Sequence, residues 1–295
     1  MLIYDTVKQY SQMFNNSTLH PLISLVDLDK APPLERTKFM MNIYAIIIKK
    51  KHCGELRYGN TYYDYDDGTL VFFAPGQVIT NEPEGELHQP YGRALVFHPD
   101  LIKGSSLGKH LHEYSFFSYQ SHEALHLSEK EKEVIHNCFQ NIASEINQNL
   151  DKHSKRLIVA NLELLLNYCL RFYDRQFLTR EVANKGILEQ FEQLLNNYLF
   201  SDELPLKGVP SVAYFADKLN LSPNYFGDLV KKETGKTALE FIQLRLLDLA
   251  KERIFDTSKS LSEISYELGF KYPQHFTRLF KQKVGMTPNQ YRMAN

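Results

Sequence analysis

Phe215-Ala216-Asp217-Lys218-Leu219-Asn220-Leu221-Ser222-Pro223-Asn224-Tyr225-Phe226, followed by Leu229, Lys231, Gly235, Thr237 and Phe241, has a second copy further along the chain. That copy runs Ile264-Ser265-Tyr266-Glu267-Leu268-Gly269-Phe270, then Phe276, Leu279, Lys281, Gly285, Thr287 and Tyr291. From Phe226/Phe276 onward the offset is constant. Upstream it is one residue shorter (Leu219/Leu268), which puts the slip in the turn or at the start of the following helix. Apolar positions match by chance often. Gly, Thr and Lys matching in the same register mark an internal repeat.

Each copy reads as two short helices joined by a turn. Val212, Phe215, Ala216 and Leu219 recur at helical spacing and make one apolar face. Ala216 and Ser265 are small residues where a second helix must cross closely. In the first copy Ser222 is placed to cap the second helix and Pro223 to open it, with Gly235 closing it. Phe226, Leu229 and Val230 point inward in one copy, and Phe276, Leu279 and Phe280 in the other. A helix-turn-helix of this kind presents its second helix to a DNA major groove. The expected contacts are Ser222, Asn224, Tyr225, Asp228, Lys231 and Lys232 in the first unit, and Tyr272, Gln274, His275, Arg278 and Lys281 in the second. Arg pairs with guanine and Gln with adenine, whereas Lys meets phosphates. The plain alternative is that the lysines are solvated surface charges, and that Arg292 caps or packs the last helix.

The segment from about Val209 to Arg292 resembles the C-terminal DNA-binding domain of AraC/XylS-type transcription regulators. The residues that carry the likeness are Leu221 to Phe226, Lys231 to Thr237, Arg245 to Ala250, Ile264, Leu268 to Phe270, Phe276 to Lys281 and Gly285 to Arg292. The resemblance implies seven helices, two helix-turn-helix units, and a long helix between them from about Ala238 to Phe255. It implies two recognition helices entering adjacent major-groove segments. The first unit departs from the pattern, because Gly227 and Asp228 fill the middle of its recognition helix. An aspartate faces phosphates badly, though it accepts from cytosine N4. Residues 258–295 hold six Lys/Arg against two acids, while residues 207–257 hold eight against seven. Phosphate contact needs basic density, so the second unit is the better candidate base reader.

A chain of 295 residues accommodates about two domains. Its 43% hydrophobic and 23% charged residues are those of a globular protein. The net charge of −1 means that any nucleic-acid binding comes from a local face. Cys53, Cys138 and Cys169 are scattered without pairing spacing, which fits a reducing cytoplasm. No signal peptide is read at Met1 to Tyr10, and Ile43 to Ile48, the longest strongly apolar run, is too short to span a membrane.

The N-terminal part reads as strands followed by helices. Residues 22–28, 43–49, 58–65, 69–74 and 93–98 are candidate strands, with Asp66-Asp67-Gly68 and Pro75-Gly76 as turns. Such a run of short strands suggests a small β-barrel or jelly roll. Ser128-Glu129-Lys130-Glu131 opens a capped helix, and a second runs from about Lys155 to Tyr173. The leucines between 157 and 170 form a wide stripe that serves as core, dimer face or both.

This layout resembles the cupin-like sensor domain that precedes the DNA-binding domain in many AraC-type regulators, through Gly68 to Gln77. The expected fold class is therefore α+β. A cupin-like sensor and dimerisation domain occupies 1–180, a linker about 177–190, and an all-α DNA-binding domain 181–295. The resemblance implies a ligand-binding barrel and a homodimer through helices at about 129–173. Tyr62, Tyr63, Phe72 and Phe73 are candidate effector contacts, or else barrel core and cross-strand pairs. The His-x-His, Glu, His pattern of enzymatic cupins is absent, and His52 with Glu55 does not replace it. His110, His112, His122 and His126 read as loop and surface histidines, so neither metal nor cofactor is expected. An alkyl-transfer repair enzyme would need a reactive Cys or a Cys₄ metal cluster, and a cupin enzyme would need the missing metal motif. The expectation is a non-enzymatic regulator of transcription that binds double-stranded promoter DNA. It would answer to a small-molecule effector, and would meet RNA polymerase if it activates.

Overall fold

The computed structural model describes residues 2–35, 37–49, 57–58, 61–62, 68–81, 87–120, 123–149 and 151–294. They form two compact units, Met1–Thr179 and Arg180–Asn295.

The first unit begins with β1 (Leu2–Tyr4), α1 (Val7–Met13), β2 (Ile23–Asp27), β3 (Leu34–Glu35), β4 (Thr37–Met41) and β5 (Tyr44–Lys49). It continues with β6 (Arg57–Tyr58), β7 (Thr61–Tyr62), β8 (Thr69–Phe73), β9 (Gln77–Asn81), β10 (Leu87–His88) and β11 (Gly92–Phe97). Two short helices follow, α2 (Pro99–Ile102) and α3 (Ser106–His110), then β12 (Leu125–His126) and the long helices α4 (Glu129–Asn147) and α5 (Ser154–Thr179).

The larger sheet has the order β12-β8-β5-β11-β2, all antiparallel, and a smaller one has β1-β4-β9. Alternation along the strands sends Ala45, Ala94 and Val96 of one sheet toward Phe39 and Met41 of the other, with Tyr10 and Phe14 closing the same core. These two sheets share a core but not a ladder. The expected small barrel is therefore not closed among the described residues. The opposite face of the larger sheet buries Phe72 against Phe116, Phe117 and Tyr173.

Helix α4 starts where the sequence signals it, with the Glu131 carboxylate accepting from Ser128 N–H at 2.8 Å. The same carboxylate takes Arg175 Nη2 at 2.6 Å, and that nitrogen also donates to the His126 carbonyl. One arginine thus joins the start of α4, the end of α5 and strand β12. Leu162, Leu165 and Leu166 are fully buried, so Leu162 and Leu166 are core of this unit and not a dimer face.

The second unit is helical: α6 (Glu181–Leu199), α7 (Glu203–Lys207), α8 (Val212–Lys218), α9 (Pro223–Thr234), α10 (Ala238–Arg253), α11 (Leu261–Glu267), α12 (Pro273–Val284) and α13 (Pro288–Ala294). The segment expected to link the halves, about 177–190, is helical on both sides of Arg180. The division between the two compact units, Thr179/Arg180, falls inside it. Helix α6 buries Phe191, Leu195 and Leu199, a face that lies mostly beyond that segment.

Candidate nucleic-acid interface

Both repeats fold as helix pairs, α8/α9 and α11/α12, and local chemistry fixes each boundary. Ser211 Oγ accepts from Tyr214 N–H at 3.2 Å to start α8, and Ser222 Oγ accepts from Tyr225 N–H at 3.2 Å to start α9. Each such cap contributes about 0.5–2 kcal/mol. In the second pair Ser260 and Glu263 cap α11 reciprocally, at 3.2 and 2.7 Å. The chain turns through Asn220 (φ 53°) in one pair and Gly269 (φ 80°) in the other. Leu221 N–H then donates to Ala216, and Phe270 N–H to Ser265, forming the same tight turn. Ala216 and Ser265 are fully buried, as a close helix crossing requires.

The one-residue slip lies just after this turn. Ser222 alone separates Leu221 from Pro223, whereas Lys271 and Tyr272 separate Phe270 from Pro273. Tyr272 occupies the cap position of α12 without a capping hydrogen bond from its side chain. Both recognition helices end on a left-handed glycine, Gly235 (φ 72°) and Gly285 (φ 88°), whose N–H groups donate to Lys231 and Lys281 carbonyls.

Aromatic packing sets the helices in place. Phe191 of α6 meets Phe215 and Phe226 edge-on, at 5.1 and 5.0 Å between centroids. In the second pair Phe276 packs on Phe270 and Phe280, and Phe280 on Tyr291. Helix α10 is tied to α12 by Lys283 Nζ and Glu240 Oε1 at 2.7 Å. That hydrogen bond is the first cause holding the Glu240 carboxyl below its ordinary value.

Of the expected contacts, Asn224, Lys231, Lys232, Gln274, His275, Arg278 and Lys281 are exposed, Tyr272 is 47% exposed and Asp228 is half-buried. Two are corrected. Tyr225 is 1% exposed and belongs to the core, on the apolar face formed with Phe226, Leu229 and Val230. Ser222, 3% exposed, has its hydroxyl engaged in capping α9. The matching position to Tyr225 in the second unit, His275, lies on the surface. Thr277, not expected as a contact, is exposed one turn after Pro273 and shares a face with Gln274, Arg278 and Lys281. Its signal was available in the three- and four-residue spacing of those positions.

The candidate effector residues do not converge. Phe72 and Phe73 are adjacent on β8 and face opposite sides, because side chains alternate along a strand. Phe72 is 5% exposed among other rings, and Phe73 packs on the core between the sheets. Tyr62 falls in β7, its side chain outside the described residues, and Tyr63 lies outside them too. A cavity of about 590 Å³ is lined instead by Ile48, Arg93, Lys132, Glu133 and His136. Among the described residues no cluster of three or more His, Cys, Asp or Glu could hold a metal ion, and no helix is long and apolar enough to cross a membrane. Cys138 and Cys169 are buried, and burial pushes both thiols up. His122 and Cys53 lie outside the described residues.

These paired helices with matched turns and glycine stops define a helix-turn-helix protein. A family model described as a helix-turn-helix domain matches residues 215–294. The transposon Tn10 TetD protein of Escherichia coli is 32% identical over 143 residues, which cover 48% of this chain and 91% of TetD. By its C-terminal unit the chain belongs to the AraC-type helix-turn-helix family. The uncharacterized transcriptional regulatory protein YesN of Bacillus subtilis is 28% identical over 123 residues, and the match spans 41% of this chain but only 32% of YesN. Among solved structures, the C-terminal domain of AraT, a response regulator from Geobacillus stearothermophilus, is 24% identical over 37% of this chain and 85% of that one, with a TM-score of 0.33.

Proposed function

We propose that this chain is a sequence-specific regulator of transcription, reading two adjacent major-groove segments of promoter DNA with α9 and α12. One observation carries the reading. Asn224 and Lys231 on one helix, and Gln274 and Lys281 on the other, are exposed at the same register of two helix pairs that share turns, a proline at the start of the recognition helix and a glycine stop. Side chains of that chemistry meet base edges and phosphates. The work is done in the cytoplasm, where the DNA is, without a cofactor. Among the described residues, burial disfavours Cys138 and Cys169 as catalytic thiols, since the thiolate is the reactive form.

The N-terminal unit acts as a cupin-like sensor and dimerisation domain. A small-molecule effector or a change of dimer geometry shifts the regulator between two states of different DNA affinity. RNA polymerase is a partner where the outcome is activation. The outward face of α5, where Leu157 and Leu164 are each 45% exposed, supports a second copy as the dimer partner.

The test is selection of genomic fragments by the purified full chain at near-physiological salt. Recovery of a common motif, with protection over two groove faces about 10 base pairs apart, is the expected result. Arg278→Ala should then weaken binding to that motif by about 1–3 kcal/mol, and Lys281→Ala should weaken all sequences alike and lower the salt slope by about 1. Equal affinity for every fragment would overturn the reading.

A further inference from the structure

The two recognition helices carry corresponding stripes with different chemistry, exposed throughout on α12 but half-buried at the centre on α9. Residues spaced by three, four and seven share one side of a helix. On α9 these are Asn224, Gly227, Asp228 and Lys231, and on α12 they are Gln274, Thr277, Arg278 and Lys281. Each residue of one set lies fifty positions from its counterpart in the other, the offset that also superposes buried Phe226 on buried Phe276. The ends of the stripes agree, an amide and a lysine in both. The centres do not. Glycine stands for threonine, and an acid stands where α12 has its arginine.

This difference has chemical weight. Arg278 offers a donor fork that matches guanine O6 and N7. Asp228 offers only acceptors, which suit the cytosine N4 amino group but stand between two walls of phosphate that repel the carboxylate. The formal charge of the α12 stripe is +2, that of the α9 stripe zero. Gly227 is not there to admit a close neighbour, because a Cβ built on it would meet nothing within 4 Å. The centre of α9 therefore has no side chain that reaches a base with a donor.

We infer that base discrimination is unequally divided: α12 reads sequence, with Arg278 as its main specificity-determining residue, and α9 holds the backbone through Lys231 without selecting bases at its centre. This rests on the DNA-reading function proposed above. It makes the second half of the bound site sequence-dependent and the first half permissive.

The experiment is a base-pair substitution scan across a selected site, using the full chain as four proteins. These are the wild type, the graft Gly227→Thr/Asp228→Arg, the reciprocal Thr277→Gly/Arg278→Asp, and Asp228→Ala. For the wild type, substitutions in one block should each cost roughly tenfold or more, and those in the other block under about threefold. The reciprocal variant should flatten the sensitive block, which assigns it to α12. The graft should create base dependence in the permissive block. Base dependence is the readout because replacing an acid by an arginine raises affinity for any DNA. Two equally sensitive blocks in the wild type, or flattening of the sensitive block by Asp228→Ala, would overturn the inference while leaving DNA reading intact. Wild-type protein that shows no sequence preference anywhere overturns both. A graft that fails to fold leaves the wild-type scan and the reciprocal variant to decide.

Discussion

Arg292 Nε donates to the Ile254 carbonyl at 2.6 Å, joining the last helix to the C-cap of the central helix α10. The same guanidinium reaches the carbonyls of Asp256 and Lys259 at 3.2 Å. A helix leaves its final carbonyls without partners, and a cation there also answers the helix dipole. One planar fork thus holds the loop between the two helix-turn-helix units. Arg292→Ala should destabilise the protein by about 1–3 kcal/mol in urea denaturation. Arg292→Lys keeps the charge and loses the fork, so it should recover less than half of that loss. Full recovery with lysine would mean that charge alone matters here.

Two glycines should respond to alanine with opposite signs. Gly227 lies inside α9 with open space around it, so Gly227→Ala should stabilise by about 0.5–1 kcal/mol. Gly269 has φ +80°, and a Cβ on it would lie 2.7 Å from the Leu204 carbonyl oxygen. Backbone cannot swing away as a side-chain tip can, so Gly269→Ala should lower the melting temperature and loosen the α7–α11 contact. A melting curve for each variant decides the point. A neutral Gly269→Ala would show that α7 is free to move.

Much of this C-terminal unit was legible because its signals are local. Ser222 and Pro223 start a helix, and Gly235 and Gly285 stop one, through chemistry within a few residues. Strands β2, β5, β8 and β11 announced themselves as β-branched or apolar runs. Strands β4 and β9 did not. Thr37-Lys38-Phe39-Met40-Met41 and Gln77-Val78-Ile79-Thr80-Asn81 carry weak alternation, and their pairing with each other decides them. Helix α6 was hidden for a similar reason, since its apolar face acquires meaning only from Phe215 and Phe226. Tyr225 shows the limit at the interface. Its ring was read as a contact, yet burial of the neighbouring Phe226, Leu229 and Val230 takes it inward as well.

Acid should remove a small share of the C-terminal unit's stability, because the carboxyls concerned are solvent-exposed. The carboxyl of Glu240 is held below 4.5 first by the Lys283 hydrogen bond, that of Asp256 below 3.8 by Ser258, and that of Glu263 below 4.5 by the Ser260 N–H. With folded values below unfolded ones, their stabilisation is complete above the unfolded values and fades as pH falls through the folded values. Lys259 behaves in the opposite sense. Raised above 10.5 chiefly by Glu267, it contributes below that value and loses its contribution as pH rises through the folded one. Urea midpoints measured from about pH 6 to pH 3 should fall less steeply for Glu240→Gln than for wild type. Parallel curves would mean that the Lys283 pair contributes nothing to acid sensitivity.

Helix α5 separates core from candidate interface along one cylinder. Leu162 and Leu166 are fully buried, whereas Leu157, Leu164 and Leu178 are 45, 45 and 78% exposed. Seven residues separate Leu157 from Leu164, and fourteen separate Leu164 from Leu178, a spacing that returns to nearly the same side of a helix. Charging the two faces should therefore give different failures. Leu162→Glu places an unpaired carboxylate in a packed core and should yield unfolded or insoluble protein. Leu157→Glu/Leu164→Glu should leave the helical circular dichroism unchanged and turn the proposed wild-type dimer into a monomer in sedimentation equilibrium. A wild type that sediments as a monomer, or a double variant that sediments as a folded dimer, would show that this face is not a dimer interface.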